Sequence, residues 1–308
     1  MIKQHKQILE VDLPVLLQDY YKNFNIDGLA DQDYIYSRYM TLVQEKSLWS
    51  VKLVKERDII GSGVICSRHM YWSNSQLKVN FYSQIFIEPR YRGQGYFKHL
   101  MEELDFCDRN LNSNATIVIA RREVGDLYWK HGFKGFSKFP IISLPRNKKA
   151  EAHSVNCLID FDRFREAYTS TYHGIKGYFA RNLAFWEATI SNLPANRFDL
   201  RHFDTNDNFF YVISDHNRVI EIATNNQNAW PEVLDFLSAI GVSEYAISVN
   251  HPASSFLLFM GGELIVRPEP KEGHMMRLNY SDHLSTKRLD IENAITNMNI
   301  EVPVLDQW

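Results

Sequence analysis

Residues 84–97 read Gln-Ile-Phe-Ile-Glu-Pro-Arg-Tyr-Arg-Gly-Gln-Gly-Tyr-Phe, the most informative segment of the sequence. Its first half has the apolar character of a buried strand, and helical spacing of apolar residues begins after the second glycine. Gly93 and Gly95 permit a tight or positive-φ backbone, so successive N–H groups can converge on one anion at the positive end of a helix dipole. The stretch therefore predicts a phosphate-binding turn between a strand and a helix, with Arg90 and Arg92 as mobile charges at its rim.

Composition sets the classes of protein to consider. With 308 residues and 45% hydrophobic content, the chain is long enough for about two domains. Its formal net charge is −3, from 34 basic and 37 acidic residues, so a nucleic-acid partner is not expected. Three distant cysteines, Cys66, Cys107 and Cys157, argue against a disulfide framework and against a metal site, and indicate a reducing cytoplasm. No apolar run approaches the ~18 residues of a membrane span, and no signal peptide is recognisable at the N-terminus.

Apolar spacing changes period along the first half of the chain. Before the glycine turn, alternating residues predict an antiparallel meander, and i, i+3, i+4 spacing ahead of it predicts two helices. After the turn, the pattern predicts a helix, a short buried strand, a second helix ended by Gly132, and a strand. The predicted elements are helices at 9–24 and from within 27–40, strands at 48–55, 59–72 and 77–87, a helix at 96–110, a strand at 115–120, a helix at 123–131, and a strand ending at 141–144.

The stretch from Pro145 to Ala152 is the most linker-like in the chain, and a domain boundary is predicted there. This divides the chain into domains 1–146 and 147–280 and a tail, 281–308. The tail is expected to pack as a strand or arm on its own domain. Beyond the boundary the pattern predicts a strand at 155–159, helices at 161–172 and 178–193, strands at 198–202, 209–214 and 219–223, and a helix at 230–240.

The element order, the spacing Arg90-x-x-Gly93-x-Gly95 and the later pattern Tyr128-x-x-x-Gly132-Phe133 together resemble the GNAT superfamily of acyl-CoA-dependent N-acetyltransferases. The resemblance implies an α/β fold of the α+β type, with two GNAT-like domains, each a mixed, mostly antiparallel central sheet flanked by helices. A short glycine pattern alone is weak evidence, and a purely structural turn is the alternative. Nucleotide P-loops and dinucleotide fingerprints fail on spacing, since neither Gly-Lys-Ser/Thr nor a third glycine follows.

The resemblance also assigns roles to residues. In that family the glycine turn binds the pyrophosphate of coenzyme A, and the preceding strand splays from its neighbour to admit the pantetheine arm. Tyr128 matches the tyrosine beside the coenzyme sulfur and would protonate the departing thiolate; the alternative is that it only packs beside Trp129. Residues expected to bind acetyl-CoA are Phe86, Ile87, Arg90, Tyr91, Arg92, Gly93, Gln94, Gly95 and Tyr96.

A general base is not identified. Some relatives carry a glutamate on the strand before the turn, but residues 80–84 include no carboxylate. Glu88 is expected to be a solvated turn residue, and His99 and His131 to lie at the surface. A water chain, or an amine arriving neutral, needs no named side chain. In some tandem relatives the terminal carboxylate is the base, which is the alternative role for the tail.

The second half repeats the pattern of the first. A shift of 130 residues aligns Gly132 with Gly262, but Tyr128 falls on Leu258 and residues 90–95 fall on 220–225, where no glycine stands. We therefore expect a degenerate GNAT-like second domain without a coenzyme site. Residues 178–186 also resemble the central domain of Eis-type tandem acetyltransferases, although the chain ends before a third domain of that family could fit.

Two main functions are considered. The first is an acetyl-CoA-dependent N-acetyltransferase, in which a primary amine of a small molecule or peptide attacks the thioester directly and the second domain shapes the acceptor cleft or a homo-oligomer interface. The alternative is a non-catalytic, acyl-CoA-responsive interaction protein, which the missing strand base favours. A weaker alternative is an aminoacyl-tRNA-dependent transferase, whose basic groove is not visible in the sequence.

Overall fold

The computed structural model describes residues 1–72, 75–120, 124–135, 141–144, 160–204, 208–216, 218–239, 241–247, 250–265 and 273–279. The strands are β1 (Ile2–Gln7), β2 (Leu48–Lys55), β3 (Asp58–Trp72), β4 (Ser75–Ile87), β5 (Ala115–Ala120), β6 (Lys134–Gly135), β7 (Ile141–Ser143), β8 (Phe198–Asp204), β9 (Phe209–Asp215), β10 (Arg218–Thr224), β11 (Glu244–Tyr245), β12 (Glu263–Ile265) and β13 (Gly273–Leu278). The helices are α1 (Leu13–Phe24), α2 (Leu29–Gln44), α3 (Tyr96–Asn110), α4 (Gly125–Lys130), α5 (Phe161–Tyr172), α6 (Leu183–Ser191), α7 (Trp230–Ala239) and α8 (Pro252–Phe259).

The first sheet has the strand order β1-β2-β3-β4-β5-β13-β6. All its neighbours run antiparallel except β4 and β5, which are parallel. Helices α1 and α2 pack on one face and α3 and α4 on the other. The apolar stripe of α3 explains its docking, because Leu100, Met101 and Leu104 are fully buried against β-strand side chains.

The second sheet has the order β12-β7-β11-β10-β9-β8 and repeats one step of the first. In both, an antiparallel hairpin leads through a helix to a parallel neighbour, β4 to β5 in one and β10 to β11 in the other. Helices α7 and α8 contribute to one core of this sheet, and α5 and α6 to another. The predicted fold class, mixed and mostly antiparallel sheets flanked by helices, is confirmed.

The two sheets exchange strands. β7 pairs with β11 and β12 in the second sheet, whereas β13, from far along the chain, lies between β5 and β6 in the first. The predicted boundary at residue 146 assigns β7 to the first domain and β13 to the second. In the structure β7 lies in the second sheet and β13 in the first, so each sheet contains one strand from the other side of that boundary. The linker, the predicted strand at 155–159 and the tail 281–308 lie outside the described residues, and the division into domains stays a prediction.

The alignment by 130 residues is out of register at the glycine turn. It places the counterpart of the glycine turn at 220–225, but residues 220–224 lie inside β10. The turn that follows β10 lacks glycine, and its N–H groups are bonded within the chain: Asn225 to Phe209 O at 3.0 Å and Asn226 to Thr224 Oγ1 at 3.2 Å. The expectation that the second half lacks a phosphate-binding turn therefore rests on Asn225 and Asn226, and not on residues 220–224.

No described helix has the length and apolar run that a bilayer crossing requires. The longest, α2, has 16 residues.

A polar cluster fixes β13 in the first sheet. Arg277 forms a bidentate ion pair with Asp105 of α3, with N–O distances of 3.0 and 2.6 Å. Asp108, one helical turn further, is 1% exposed and accepts hydrogen bonds from several buried groups. Its donors are the side chains of Asn80, Tyr82, Ser113, Thr116 and Asn279.

We expect Arg277→Met to lower the free energy of unfolding by about 3 kcal/mol, because it leaves the partly buried Asp105 carboxylate without its cation and close to Asp108. The measurement is the midpoint of urea denaturation. Arg218→Met is the matched control: Arg218 pairs with Glu244 at 3.0 Å, but both side chains are more than 40% exposed, so its loss should cost less than about 1 kcal/mol. Equal destabilisation by the two substitutions would contradict this role for Arg277.

His251 caps α8 as a neutral side chain. Its Nδ1 accepts the Ala253 N–H at 3.1 Å, and its Nε2 donates to Ile222 O at 3.1 Å. The ring is buried between Tyr172 and Trp230. Burial lowers the pKa of His251 from 6.5 to about 4.

This lowered pKa makes the fold sensitive to acid. Because the unfolded chain binds the proton first, stability is complete above pH 6.5 and is lost as the pH falls towards the folded value of about 4. Between about pH 7.5 and about pH 5 we expect His251 to account for a loss of about 2 kcal/mol. His251→Asn, which keeps a capping side chain, should reduce this loss in urea denaturation, while His69→Asn, at an exposed position of β3, should not. An unchanged pH dependence in His251→Asn would refute this assignment.

Candidate functional site

The site begins where β4 separates from β5. The parallel pairing joins Val79–Tyr82 to Ala115–Val118 and then stops, although β4 continues to Ile87. Residues 83–87 therefore form no ladder with the described residues of β5, while β3 still pairs with this segment at Phe86 and Ile87. This gap is the opening that the resemblance implied.

The glycine turn follows the gap directly. After a single 3-10 turn at Pro89–Tyr91, Gly93 has φ of 75° and Gly95, the N-cap of α3, has φ of 83°. A Cβ atom built on either glycine would meet no atom of the other described residues within 4 Å, its chain neighbours aside. These positions thus need glycine for backbone conformation rather than for packing, and open space lies above both.

Backbone donors line that open space. The N–H groups of Gly93, Gln94 and Gly95 form no hydrogen bond with any acceptor in the described part of the chain. α3 begins at Tyr96 without a side-chain cap. Unsatisfied N–H groups at the positive end of a helix dipole suit an anion, and the residues present therefore fit a pyrophosphate.

The two arginines of the turn differ in their partners. Arg90 donates to Asp58 at 2.9 Å, and the Tyr91 hydroxyl donates to the same carboxylate oxygen at 3.1 Å. Arg90 was expected as a mobile charge at the rim, but this exposed ion pair ties it to the start of β3. Arg92 donates from Nε to Ile87 O at 3.0 Å and is exposed, and no carboxylate among the described residues pairs with it. Arg92 is therefore the better-placed cation for a phosphate.

The remaining predicted residues complete the turn. Gln94 Nε2 donates to the Arg90 carbonyl at 3.0 Å, which closes the loop on itself. The Tyr96 ring meets the Tyr91 ring edge-on, with centroids 5.9 Å apart. Phe86 lies below the guanidinium of Arg92 at 5.7 Å.

Tyr128 lies on α4, in the core that α3 shares with the sheet. Its ring is 6% exposed and meets Phe97 and Phe133 edge-on, at 5.7 and 6.1 Å. No hydrogen bond joins its hydroxyl to a described residue. Burial raises the pKa of Tyr128 to about 12, so the phenol is protonated at every pH near neutrality. The Tyr128 hydroxyl is thus a proton donor without an acceptor among the described residues.

The structure offers no strong base beside Tyr128 among the described residues. His99 is exposed and 3.3 Å from Glu102, as expected of a surface residue. His131 is half-buried against Phe97 at 5.9 Å, and burial lowers its pKa. No three His, Cys, Asp or Glu side chains in the described ranges converge as metal ligands would.

One polar residue of the gap was overlooked in the sequence. In the sequence Gln84 is only a position without a carboxylate, but in the structure its φ is 51° and its Nε2 is buried without a hydrogen-bond partner among the described residues. Neither property has a sequence signal. Glutamine rarely adopts the left-handed backbone conformation, and whether its amide finds a hydrogen-bond partner depends on side chains from α2.

No protein-family model matches the sequence, and no curated protein matches it either. Solved structures do. A GCN5-related N-acetyltransferase from Anabaena variabilis is 15% identical with a TM-score of 0.64, and the match covers 90% of this chain and 73% of that one. A conserved protein of unknown function from Enterococcus faecalis, described as a probable N-acyltransferase, is 11% identical with a TM-score of 0.62, covering 90% and 72%.

A third solved structure is Eis1 from Mycobacterium abscessus, 11% identical with a TM-score of 0.51, where the match covers 74% of this chain and 63% of that one. At these identities the likeness establishes the fold. The chain has the fold of the GCN5-related N-acetyltransferases over nine-tenths of its length, and the resemblance is confirmed at that level.

Proposed function

We propose that the chain is an acetyl-CoA-dependent N-acetyltransferase that transfers an acetyl group to a primary amine by direct attack. The observation that carries the proposal is the gap between β4 and β5, which opens immediately before a glycine turn with unsatisfied N–H groups. A thioester on a long, flexible arm that leads to a pyrophosphate suits this sequence of gap and turn. The names of the solved structures with the same fold support the same chemistry.

Each part of the path has a task. The N–H groups of Gly93, Gln94 and Gly95 bind the pyrophosphate, with Arg92 as the counter-charge. Tyr91 and Tyr96 form an aromatic wall beside it. The unpaired backbone at Phe86 and Ile87 binds the amide groups of the pantetheine arm, as an added strand would.

Acetyl-CoA supplies a thioester carbonyl carbon that the amine nitrogen attacks, giving an N-acetyl amine and the thiol of coenzyme A. Tyr128 donates the proton that the leaving sulfur takes up, from Oη. Its raised pKa does not prevent this, because burial makes a thiolate in the same pocket more basic as well. The proton lost by the attacking nitrogen passes to water, since residues 80–84 of β4 carry no carboxylate, and water returns a proton to Tyr128 Oη to complete the cycle.

The second sheet is proposed to shape the acceptor cleft without binding coenzyme. The turn after β10 has no glycine, and the N–H groups of Asn225 and Asn226 are already bonded, so the coenzyme site proposed among the described residues is the one at residues 93–95. Cys66 and Cys107 are buried and free, which supports a reducing compartment such as the cytoplasm. The acceptor is proposed to be a small-molecule or peptide amine.

The test is turnover. Acetyl-CoA and a panel of polyamines, amino sugars and peptide α-amines are incubated with the protein, and thiol release and N-acetyl products are measured. We expect amine-dependent thiol release with at least one class. Acetyl-CoA binding without product from any amine would favour the non-catalytic interaction protein instead.

A further inference from the structure

A bulge marks the point where β4 leaves β5. Between the pairs Ser62–Phe86 and Val64–Ser83, β4 places two residues opposite one residue of β3. One of the two is Gln84, whose left-handed backbone is unfavourable for a residue with a side chain. Bulges of this kind are frequent beside active sites, where they re-aim a side chain.

The side chain of Gln84 is itself unsatisfied. Its Nε2 is buried, with no hydrogen-bond partner among the described residues. Next to it, the Tyr39 hydroxyl of α2 lies 3.3 Å from Ser83 Oγ. The Gln84 amide is near enough to this hydroxyl to oppose the rise in the Tyr39 pKa, but its Nε2 does not reach the geometry of a hydrogen bond. Burial keeps the pKa of Tyr39 well above its ordinary value, so the group is neutral. One residue thus combines an unfavourable backbone with a buried, unused donor, and both are costs to folding.

The chemistry of the cluster limits what can bind there. An amide N–H must donate, so its partner is an acceptor atom and not an ammonium group. A donor aimed at the lone pair of a neutral amine would weaken that amine as a nucleophile. The hydrogen-bond acceptor that the proposed reaction brings to the gap is the carbonyl oxygen of the acyl group, which gains negative charge as the amine attacks.

We infer that Gln84 is a catalytic residue whose Nε2–H donates to the acyl carbonyl oxygen. Hydrogen bonding to this oxygen polarises the carbonyl, stabilises the charge that develops there and fixes the face that the amine attacks. The inference rests on the proposed function and deepens it. The β4 bulge holds the glutamine in place, which explains why its unfavourable backbone is retained.

The test compares three probes on the full chain: acetyl-CoA, coenzyme A without an acyl group, and a stable ketone analogue in which a methylene replaces the thioester sulfur. Gln84→Met keeps the length of the side chain and removes its donors. We expect roughly tenfold weaker binding of the ketone analogue, unchanged binding of coenzyme A, and a fall in kcat/KM of about 100-fold. Gln76→Met, on the exposed part of the same strand, should change none of these.

Thermal unfolding without ligand supplies an independent readout. Because Gln84→Met removes a buried, unsatisfied donor, we expect the melting temperature to rise by about 2 °C. A variant that melts lower and loses coenzyme A and the analogue equally would show that Gln84 only supports the fold. A variant that binds the analogue as tightly as the wild type would refute the role of Gln84 but would leave the proposed function untouched. If the wild-type protein bound neither coenzyme A nor the analogue, both the proposed function and the role of Gln84 would be refuted.

Discussion

Gly93→Asp should abolish measurable acetyl-CoA binding while leaving the fold intact. The new carboxylate enters the open space that the pyrophosphate is proposed to fill, and it repels that group. Loss of two charge-assisted hydrogen bonds is worth about 3 kcal/mol, or roughly 100-fold in Kd, before repulsion is added. The measurement is isothermal titration calorimetry with acetyl-CoA.

The fold tolerates this change because a Cβ at position 93 meets nothing within 4 Å. Aspartate also adopts the left-handed region more readily than most residues, at a cost of about 1 kcal/mol. Gly174→Asp is the matched control, since Gly174 has φ of 94°, is equally open and lies far along the chain from the turn. The control should bind acetyl-CoA as the wild type does. Retained binding in Gly93→Asp would show that the turn is only structural.

Tyr128→Phe should lower kcat by about 100-fold with little change in the Kd for acetyl-CoA. The ring keeps its edge-on contacts with Phe97 and Phe133, so packing is preserved and only the proton donor is lost. The measurement is steady-state kinetics with whichever amine the panel identifies. The pH profile adds a second check: with a pKa of about 12, Tyr128 should stay protonated, so it causes no fall in rate up to about pH 10.

Tyr245→Phe is the control for removal of a buried hydroxyl. Tyr245 lies in the core of the second sheet, and its hydroxyl has no hydrogen-bond partner among the described residues. Its loss should not affect kcat. If Tyr128→Phe also turned over at the wild-type rate, the tyrosine would have a packing role only, which is the alternative that the sequence left open.

Local elements of this fold follow from local patterns. The meander, α3, β5 and α5 were predictable because alternation and helical spacing are properties of neighbouring residues. β13 was not, because its place between β5 and β6 depends on Arg277 and Asn279 meeting Asp105 and Asp108 of α3. β1 was also missed: it lies at the sheet edge and its side chains are largely exposed, so no apolar alternation marks it.

The candidate site divides in the same way. Glycines with positive φ, the start of α3 and the tyrosine of α4 have spacing that a sequence can display. The ion pair of Arg90 with Asp58 joins residues 32 positions apart, and no local sequence pattern around either residue predicts it. Gln84 is unusual only through the bulge and through its neighbour on α2, and these exist only after β3, β4 and α2 have packed.

The most direct test is a crystal structure of the protein with coenzyme A bound. We expect pyrophosphate oxygens within about 3 Å of the N–H groups of Gly93, Gln94 and Gly95, and pantetheine between β4 and β5. We also expect the coenzyme sulfur within about 4 Å of Tyr128 Oη. Coenzyme bound elsewhere, or with its sulfur remote from Tyr128, would contradict the proposed site.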